Sequence, residues 1–411
     1  MIQLNSNNIE GGMFYMRCVG TVVRGIRTPI IKEDTNLAET VIDSIMKAKE
    51  NEGFEFKDRD VIAITEAVVG IAEGNYISVD NIAEDVSNKF ETKEVGLVFP
   101  ILSRNRFSMI LKGIARGMDK IVMLLSFPKD EVGNSIMDKE KLELSPFNLN
   151  DIITEADYEK YFKDFVHPFT GINMVKFYRD LIKSENCEVE FVFSNSPKDI
   201  LKYTNNVINC DIHTRYETNQ ALKYLGANVY GLYEIMNKPI NGSGYNEKYG
   251  LLGSNKSTEE RLKLFPQTGQ KLVEEIQKKM HELTGKQIEV MVYGDGAFKD
   301  PVGEIWELAD PVVSPAYTKG LEGTPNEIKL KYISDNVYDN LRGEELANAI
   351  RKEIKSKEKN LTGQMASQGT TPRRLTDLIG SLCDLTSGSG DKGTPVVYIQ
   401  GYFDNYADVE E

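Results

Sequence analysis

The sequence predicts a mixed α+β fold with a small α/β unit set into its middle, and three patterns predict it. Over residues 15–135, short apolar runs alternate with segments whose apolar residues recur at helical spacing. Over 136–265, three strand-like runs are separated by two helical ones, the pattern of a compact α/β unit. Over 266–405, an amphipathic helix feeds a strand, two further helices follow, and an apolar strand closes the chain. These ranges are the predicted units: a core in two parts, with an insertion between them.

Each element follows from its local pattern. In the first range, "MFYMRCVGTVV" reads as a strand and "NLAETVIDSIMKAKE" as a helix with one apolar face. "DVIAITEAVVGIAEGN" reads as a buried strand running into a turn, "FSMILKGIARGM" as a helix and "KIVMLLSFP" as a second buried strand. The middle range holds the strands "EVEFVFS", "NVINCDIH" and "NVYGLYEI", with helical "SPKDILKYT" and "ETNQALKYLG" between them. The polar, glycine-rich "NKPINGSGYNEKYGLLGSNKS" then leads out as a loop. Beyond it, the helix "GQKLVEEIQKKMHELTGK" ends at Gly285, since glycine readily takes the left-handed conformation that closes a helix. The strand "QIEVMVY", the helices "GEELANAIRKEIKSKEK" and "RRLTDLIGSLCDLTSG", the loop "SGSGDKGTP" and the strand "VVYIQGY" complete the chain.

Composition narrows the function classes. With 411 residues, 40% hydrophobic and 27% charged, the chain reads as an ordinary soluble globular protein of two or three domains. It has neither a membrane-spanning apolar run nor a recognisable secretory leader, so a cytoplasmic location is expected. Its four cysteines (Cys18, Cys187, Cys210, Cys383) form no CxxC pair, which argues against disulfide scaffolds and structural zinc. A net charge of −14 repels nucleic acid, so an anionic ligand would need basic residues gathered locally.

Five loops combine small residues with charged ones: "RGIRTPIIKED", "TEAVVGIAEGN", "SFPKDEVGN", "YGDGAFKDP" and "SGSGDKGTP". Glycine lets backbone N–H groups approach an anion, and a nearby Asp can hold a divalent ion. Each loop is equally an ordinary turn, and none has P-loop or GxGxxG spacing. "SRNRFSMILKGIARG" gathers Arg104, Arg106, Lys112 and Arg116, either as a solvated helix face or as an anion site. Arg373 and Arg374 form a second pair. The candidates for binding a substrate anion are Arg104, Arg106, Arg373 and Arg374. With only His167, His213 and His281 present, chemistry based on carboxylates and metal is favoured over histidine acid–base work. Asp211-x-His213 remains open as a pair of ligands on one strand face.

Read in order, these loops resemble the coenzyme F420-0:L-glutamate ligase (F420 gamma-glutamyl ligase) family. "GIRTPIIKEDTNLAETVI" is similar to its opening loop and helix, and "DVIAITEAVVGIAEGN" to its strand and Ala-Glu-Gly turn. "HELTGKQIEVMVYGDG" resembles the strand leading to a metal-binding Asp, and "SGSGDKGTPVVYIQGY" the final glycine-rich loop. "SFPKDEVGN" is similar to a loop with a second such Asp. The resemblance implies a mixed fold with residues 136–265 inserted, and a homodimer in solution. It implies transfer of L-glutamate to the carboxylate of an anionic acceptor, coenzyme F420-0, through an acyl phosphate. GTP would be the nucleotide, with ATP the alternative, together with Mg2+ or Mn2+ and a monovalent cation, K+. Asp130 and Asp295 would be the metal ligands. Thr28, Pro29, Ile30, Ile31, Glu66, Ala67, Asn134, Gly388, Gly390, Lys392 and Gly393 would surround the nucleotide. The chain departs from the family pattern at Ile71, where a lysine is implied, and at Ser389, where Glu or Gln is implied. A folate or another acid as acceptor, and a binding protein that has lost catalysis, are the alternative readings. No catalytic residue is assigned.

Overall fold

The computed structural model describes residues 19–168, 170–294, 297–299, 306–308, 314–367, 374–387 and 390–408. The chain opens with β1 (Val22–Ile26), α1 (Leu37–Glu52), β2 (Val61–Thr65), α2 (Glu66–Glu73), β3 (Tyr76–Ser78) and α3 (Val79–Lys89). β4 (Glu94–Val98), α4 (Phe107–Gly117), β5 (Lys120–Leu125), α5 (Lys139–Glu143), β6 (Ile153–Thr154), α6 (Glu155–Tyr161) and α7 (Met174–Ser184) follow. Next come β7 (Glu188–Phe193), β8 (Asn206–Asn209), α8 (Arg215–Tyr224), β9 (Asn228–Gly231), β10 (Asn255–Lys256) and β11 (Arg261–Lys263). The last part holds α9 (Gly269–Thr284), β12 (Glu289–Tyr293), β13 (Ala297–Lys299), β14 (Trp306–Leu308), β15 (Ala316–Tyr317), α10 (Leu330–Asn336), α11 (Gly343–Ser356), α12 (Leu375–Thr386) and β16 (Val396–Gln400). Among the described residues, helix accounts for 39% and strand for 17%, distributed over several sheets, which is the mixed α+β class.

The first large sheet has the order β1-β16-β2-β12-β15. Its central strands are apolar throughout because both faces are covered, and successive side chains go to opposite layers. Ile62, Ile64, Val290, Val292 and Val396 face a core with Val41 and Ile45 of α1 and Val273 and Ile276 of α9. Val61, Ala63, Met291, Val397 and Ile399 face the other side, against Ile379 and Cys383 of α12. β2 and β12 run parallel with Thr65 beside Tyr293, so both strands end at the same edge.

The second large sheet has the order β6-β7-β5-β4-β8-β9, parallel except for β6. One face packs on α3, α4 and α7 through residues such as Leu97, Met123 and Phe191. The other carries Val98, Val122 and Val192 against Ile200 and Leu222. α3 and α4 lie close enough that a Cβ at Gly117 would stand 2.6 Å from the Ala83 carbonyl oxygen. The boundary predicted between residues 135 and 136 therefore passes through one sheet: β4 and β5 precede it, and β7, β8 and β9 follow it. Periodicity could not reveal this, because long parallel crossovers leave no trace of which strands become neighbours.

Two further local differences have plain causes. The segment after β2, predicted as a turn, is helix α2, closed by Gly74 at φ 64°. The run "SPKDILKYT" forms a 3₁₀ helix over Pro197–Lys202. Among the described residues, no helix is long and apolar enough to cross a membrane.

Candidate functional site

A cleft of about 470 Å3 opens where β2 and β12 end. Its floor is Thr65, Glu66 and Ala67, with Ile71 on the next turn of α2 and Tyr293 from the neighbouring strand. Asp384 and Ser387 close one side at the end of α12. The Tyr293 phenol is hydrogen-bonded to the Ser387 hydroxyl, and burial raises its pKa, so it stays a neutral hydrogen-bonding group at any working pH. Ser103, Asn105 and Arg106, in the loop between β4 and α4, face the floor, together with Lys256 and Lys263.

Lys263 is the least expected member. It sits on β11, whose pairing with β3 joins the segment after residue 136 to the segment before it. Its ammonium lies 2.8 Å from Glu66 Oε2, and both side chains are only 7% exposed. A charge buried at that depth needs a partner, and each side chain supplies the other's. The lysine stem lies along α2, where a Cβ at Gly70 would come within 3.2 Å of its Cδ. An ammonium thus stands beside Ile71, although residue 71 itself is apolar. The wall is also braced from behind: Glu73 accepts hydrogen bonds from the backbone N–H groups of Gln267 and Thr268, at 2.7 and 2.9 Å, at the start of α9. The Ala-Glu-Gly turn singled out in the sequence is therefore a joint between two helices.

The residues expected at a nucleotide site separate into groups. Glu66, Ala67 and Arg106 line the cleft. Thr28, Pro29, Ile30 and Ile31 do not: Pro29 and Ile30 are exposed, and the Thr28 hydroxyl donates to the Pro29 carbonyl at 2.9 Å. Arg104 is exposed just outside it, and Arg374 is exposed at the start of α12. Gly390, Lys392 and Gly393 form an exposed loop between the Ser387 rim and β16. Asp295, Gly388 and Arg373 lie outside the described residues.

Asp130 and Asn134 sit at the second sheet. The Asp130 carboxylate accepts from the backbone N–H groups of Leu102, Val132 and Asn134 and from the Asn134 amide, at 2.8–3.1 Å. Burial nevertheless pushes its pKa up to about 6. Lys112 and Arg116, from the same basic run as Arg106, are occupied elsewhere. Arg116 pairs with Asp80, Glu185 and Glu260, and Lys112 with Glu260.

The model of the F420-0:gamma-glutamyl ligase family matches residues 25–401, nearly the whole chain. The chain belongs to this family. No curated protein matches it. The bounds of the family match enclose residues 136–265. Glutamate and the F420-0 acceptor are the substrates that membership in the ligase family implies.

Sequence reasoning missed Lys256, Lys263, Asn105, Tyr293 and Asp384 as cleft residues. One signal was available: in "RLKLFP", Lys263 interrupts an apolar run where an exposed lysine would not be expected.

Proposed function

We propose that the chain is a nucleotide- and metal-dependent amide ligase. It adds L-glutamate to the carboxylate of an anionic acceptor, coenzyme F420-0, through an acyl phosphate. The observation that carries this reading is the make-up of the cleft: Arg106, Lys256 and Lys263 line it together with Glu66 and Asp384, a gathering of basic side chains in a chain of net charge −14. A volume of about 470 Å3 is in the range of small-molecule sites.

A carboxylate is a poor electrophile. Transfer of the nucleotide γ-phosphoryl group to an acceptor carboxylate oxygen makes a mixed anhydride and releases the nucleoside diphosphate. The glutamate amine then attacks the acyl carbon, inorganic phosphate leaves with the C–O electron pair, and the amine gives up a proton. In this reading Lys263, fixed by Glu66, and Arg106 receive phosphate oxygens, whose geometry suits ammonium and guanidinium donors. Tyr293 offers its hydroxyl to the acceptor. GTP is the proposed nucleotide and ATP the alternative.

Mg2+ or Mn2+ is bound by one or two carboxylates with phosphate and water completing the shell. Glu66 and Asp384 fit that demand, and Asp295, two residues after Tyr293, is proposed as a further ligand. Such an ion would neutralise phosphate charge during transfer. Asp130 is not assigned to it, because four donors already surround its carboxylate. A homodimer and bound K+ belong to the same proposal.

The test is incubation of purified protein with GTP or ATP, MnCl2, L-glutamate and either F420-0 or a folate, followed by mass spectrometry. A product one glutamate heavier with F420-0 is expected. Absence of product together with absence of nucleotide hydrolysis would overturn the reading.

A further inference from the structure

One side of the ligase cleft is a loop that belongs to the other sheet. Residues 99–106 leave β4 of the six-stranded sheet and run into α4, and they bring Ser103, Asn105 and Arg106 to the cleft. A loop has no ladder of its own, so its buried backbone groups need partners from elsewhere. Two buried side chains supply them, Asp130 and Tyr178, and neither is among the residues that line the cleft.

Asp130 follows β5. Its Oδ1 accepts from the N–H groups of Val132 and Asn134, at 3.1 and 2.8 Å, which fixes its own turn. Its Oδ2 accepts from the Asn134 amide at 2.9 Å and from the Leu102 N–H at 2.8 Å, which ties the loop to that turn. Tyr178, on α7, is fully buried. Its hydroxyl accepts from the Ser103 N–H and donates to the Ile101 carbonyl, at 2.8 and 2.7 Å. Residues 101–103 are therefore held from outside the loop at three successive positions. From Ser103 the order passes onward. Its own hydroxyl accepts from the N–H groups of Asn105 and Arg106, at 3.3 and 3.1 Å. The Asn105 carbonyl in turn accepts from the Lys256 N–H at 3.0 Å. The backbone that presents Arg106 and Lys256 to the cleft is thus anchored through these bonds to Asp130 and Tyr178.

We propose that Asp130 and Tyr178 are positioning residues for the ligase, which hold Arg106 against the nucleotide phosphates by way of the backbone of residues 101–103. The proposal rests on the ligase reading and gives a task to a buried carboxylate that the reaction itself does not use. Asp130→Asn keeps the size of the side chain but sets an NH2 group against N–H donors. Tyr178→Phe removes one hydroxyl and strands the Ser103 N–H and the Ile101 carbonyl.

Hydrogen exchange and nucleotide binding, both measured on the full chain, test this together. Amides within residues 101–106 should exchange about tenfold faster or more in each variant, the scale of one lost buried hydrogen bond, while those of β2 and β12 keep their wild-type rates. Calorimetry with GTP and with ATP should show each variant binding about fivefold to tenfold more weakly. In an Arg106→Ala background neither substitution should weaken binding further, because residues that act through Arg106 have nothing left to position. Gly117→Ala, which strains α3 against α4 without touching the loop, is the control for lost stability and should bind nucleotide as wild type does. Tyr178→Phe carries the test alone if Asp130→Asn does not fold. Unchanged exchange in residues 101–106, additive losses in the Arg106→Ala background, or an equal loss in Gly117→Ala would each overturn the proposal. A wild-type chain that binds neither nucleotide would overturn the ligase reading, and the positioning role with it.

Discussion

The two large sheets solve the same problem in opposite ways. At the cleft beside the five-stranded sheet, the charged pair joins residues 197 apart in the chain, Glu66 on α2 and Lys263 on β11, and both are buried. In the six-stranded sheet, a crevice is lined mostly by loops that follow its strands, and its ion pair, His213 with Glu131, is 35% and 20% exposed. A buried pair is rigid and intolerant of losing one partner. A more exposed pair tolerates substitution.

The strongest way to break this contrast is Lys263→Ala. Stranding the Glu66 carboxylate should cost about 3–5 kcal/mol in urea unfolding. The double variant Glu66→Gln/Lys263→Met should recover most of that stability but no glutamate transfer. A loss near zero in the single variant would mean that the cleft floor is wet and the contrast is false.

Gly117→Ala tests the other sheet. Its Cβ would meet the Ala83 carbonyl oxygen at 2.6 Å, so α3 must move away from α4. A destabilisation of about 1–3 kcal/mol is expected from the overpacking, with the KM for nucleotide unchanged.

A third probe lies at the end of the first sheet away from the cleft. Burial raises the Asp60 carboxyl above its usual range, against hydrogen bonds from Tyr398, the Lys57 N–H and Gln400. The folded protein then keeps this proton more readily than the unfolded chain. Ionising Asp60 therefore costs stability as pH rises above about 4, by less than about 1.4 kcal/mol per pH unit for one proton. The stability difference between wild type and Asp60→Asn should move in that direction between pH 4 and 7, read by urea titration. A difference independent of pH would refute the assignment.

Ser78→Ala should have the smallest effect. Ser78 caps α3 in a reciprocal arrangement with Asn81, and its loss should lower stability by about 1 kcal/mol in thermal unfolding. An equal loss of nucleotide affinity would show that β3 couples the cap to Lys263 on β11.

The elements were legible in the sequence wherever burial imposes a period. Residues 61–64 and 290–292 are apolar without interruption because both faces of β2 and β12 are covered, and α9 stops at Gly285 with φ 67°. Glu66, Ala67 and Arg106 could be picked out because they adjoin such elements. Lys263 could not be assigned a role, because its partner is set by the pairing of β3 with β11, and strand pairing over such separations has no local signal. Asp130 misled for a related reason: a carboxylate after a buried strand is the pattern of a ligand, but here backbone N–H groups from its own loop and from Leu102 enclose it.

The pairing order also bears on how the chain is made. β2 has β16 on one side and β12 on the other, and β1 pairs only with β16. The six-stranded sheet has all its members once β9 has emerged from the ribosome, whereas the cleft-bearing sheet waits for β16, more than 150 residues later. Until then β1 lacks its partner and β2 keeps one unpaired edge beside β12, a state prone to pairing with other chains. The nascent chain therefore holds every strand of its second sheet while the cleft-bearing sheet is still open.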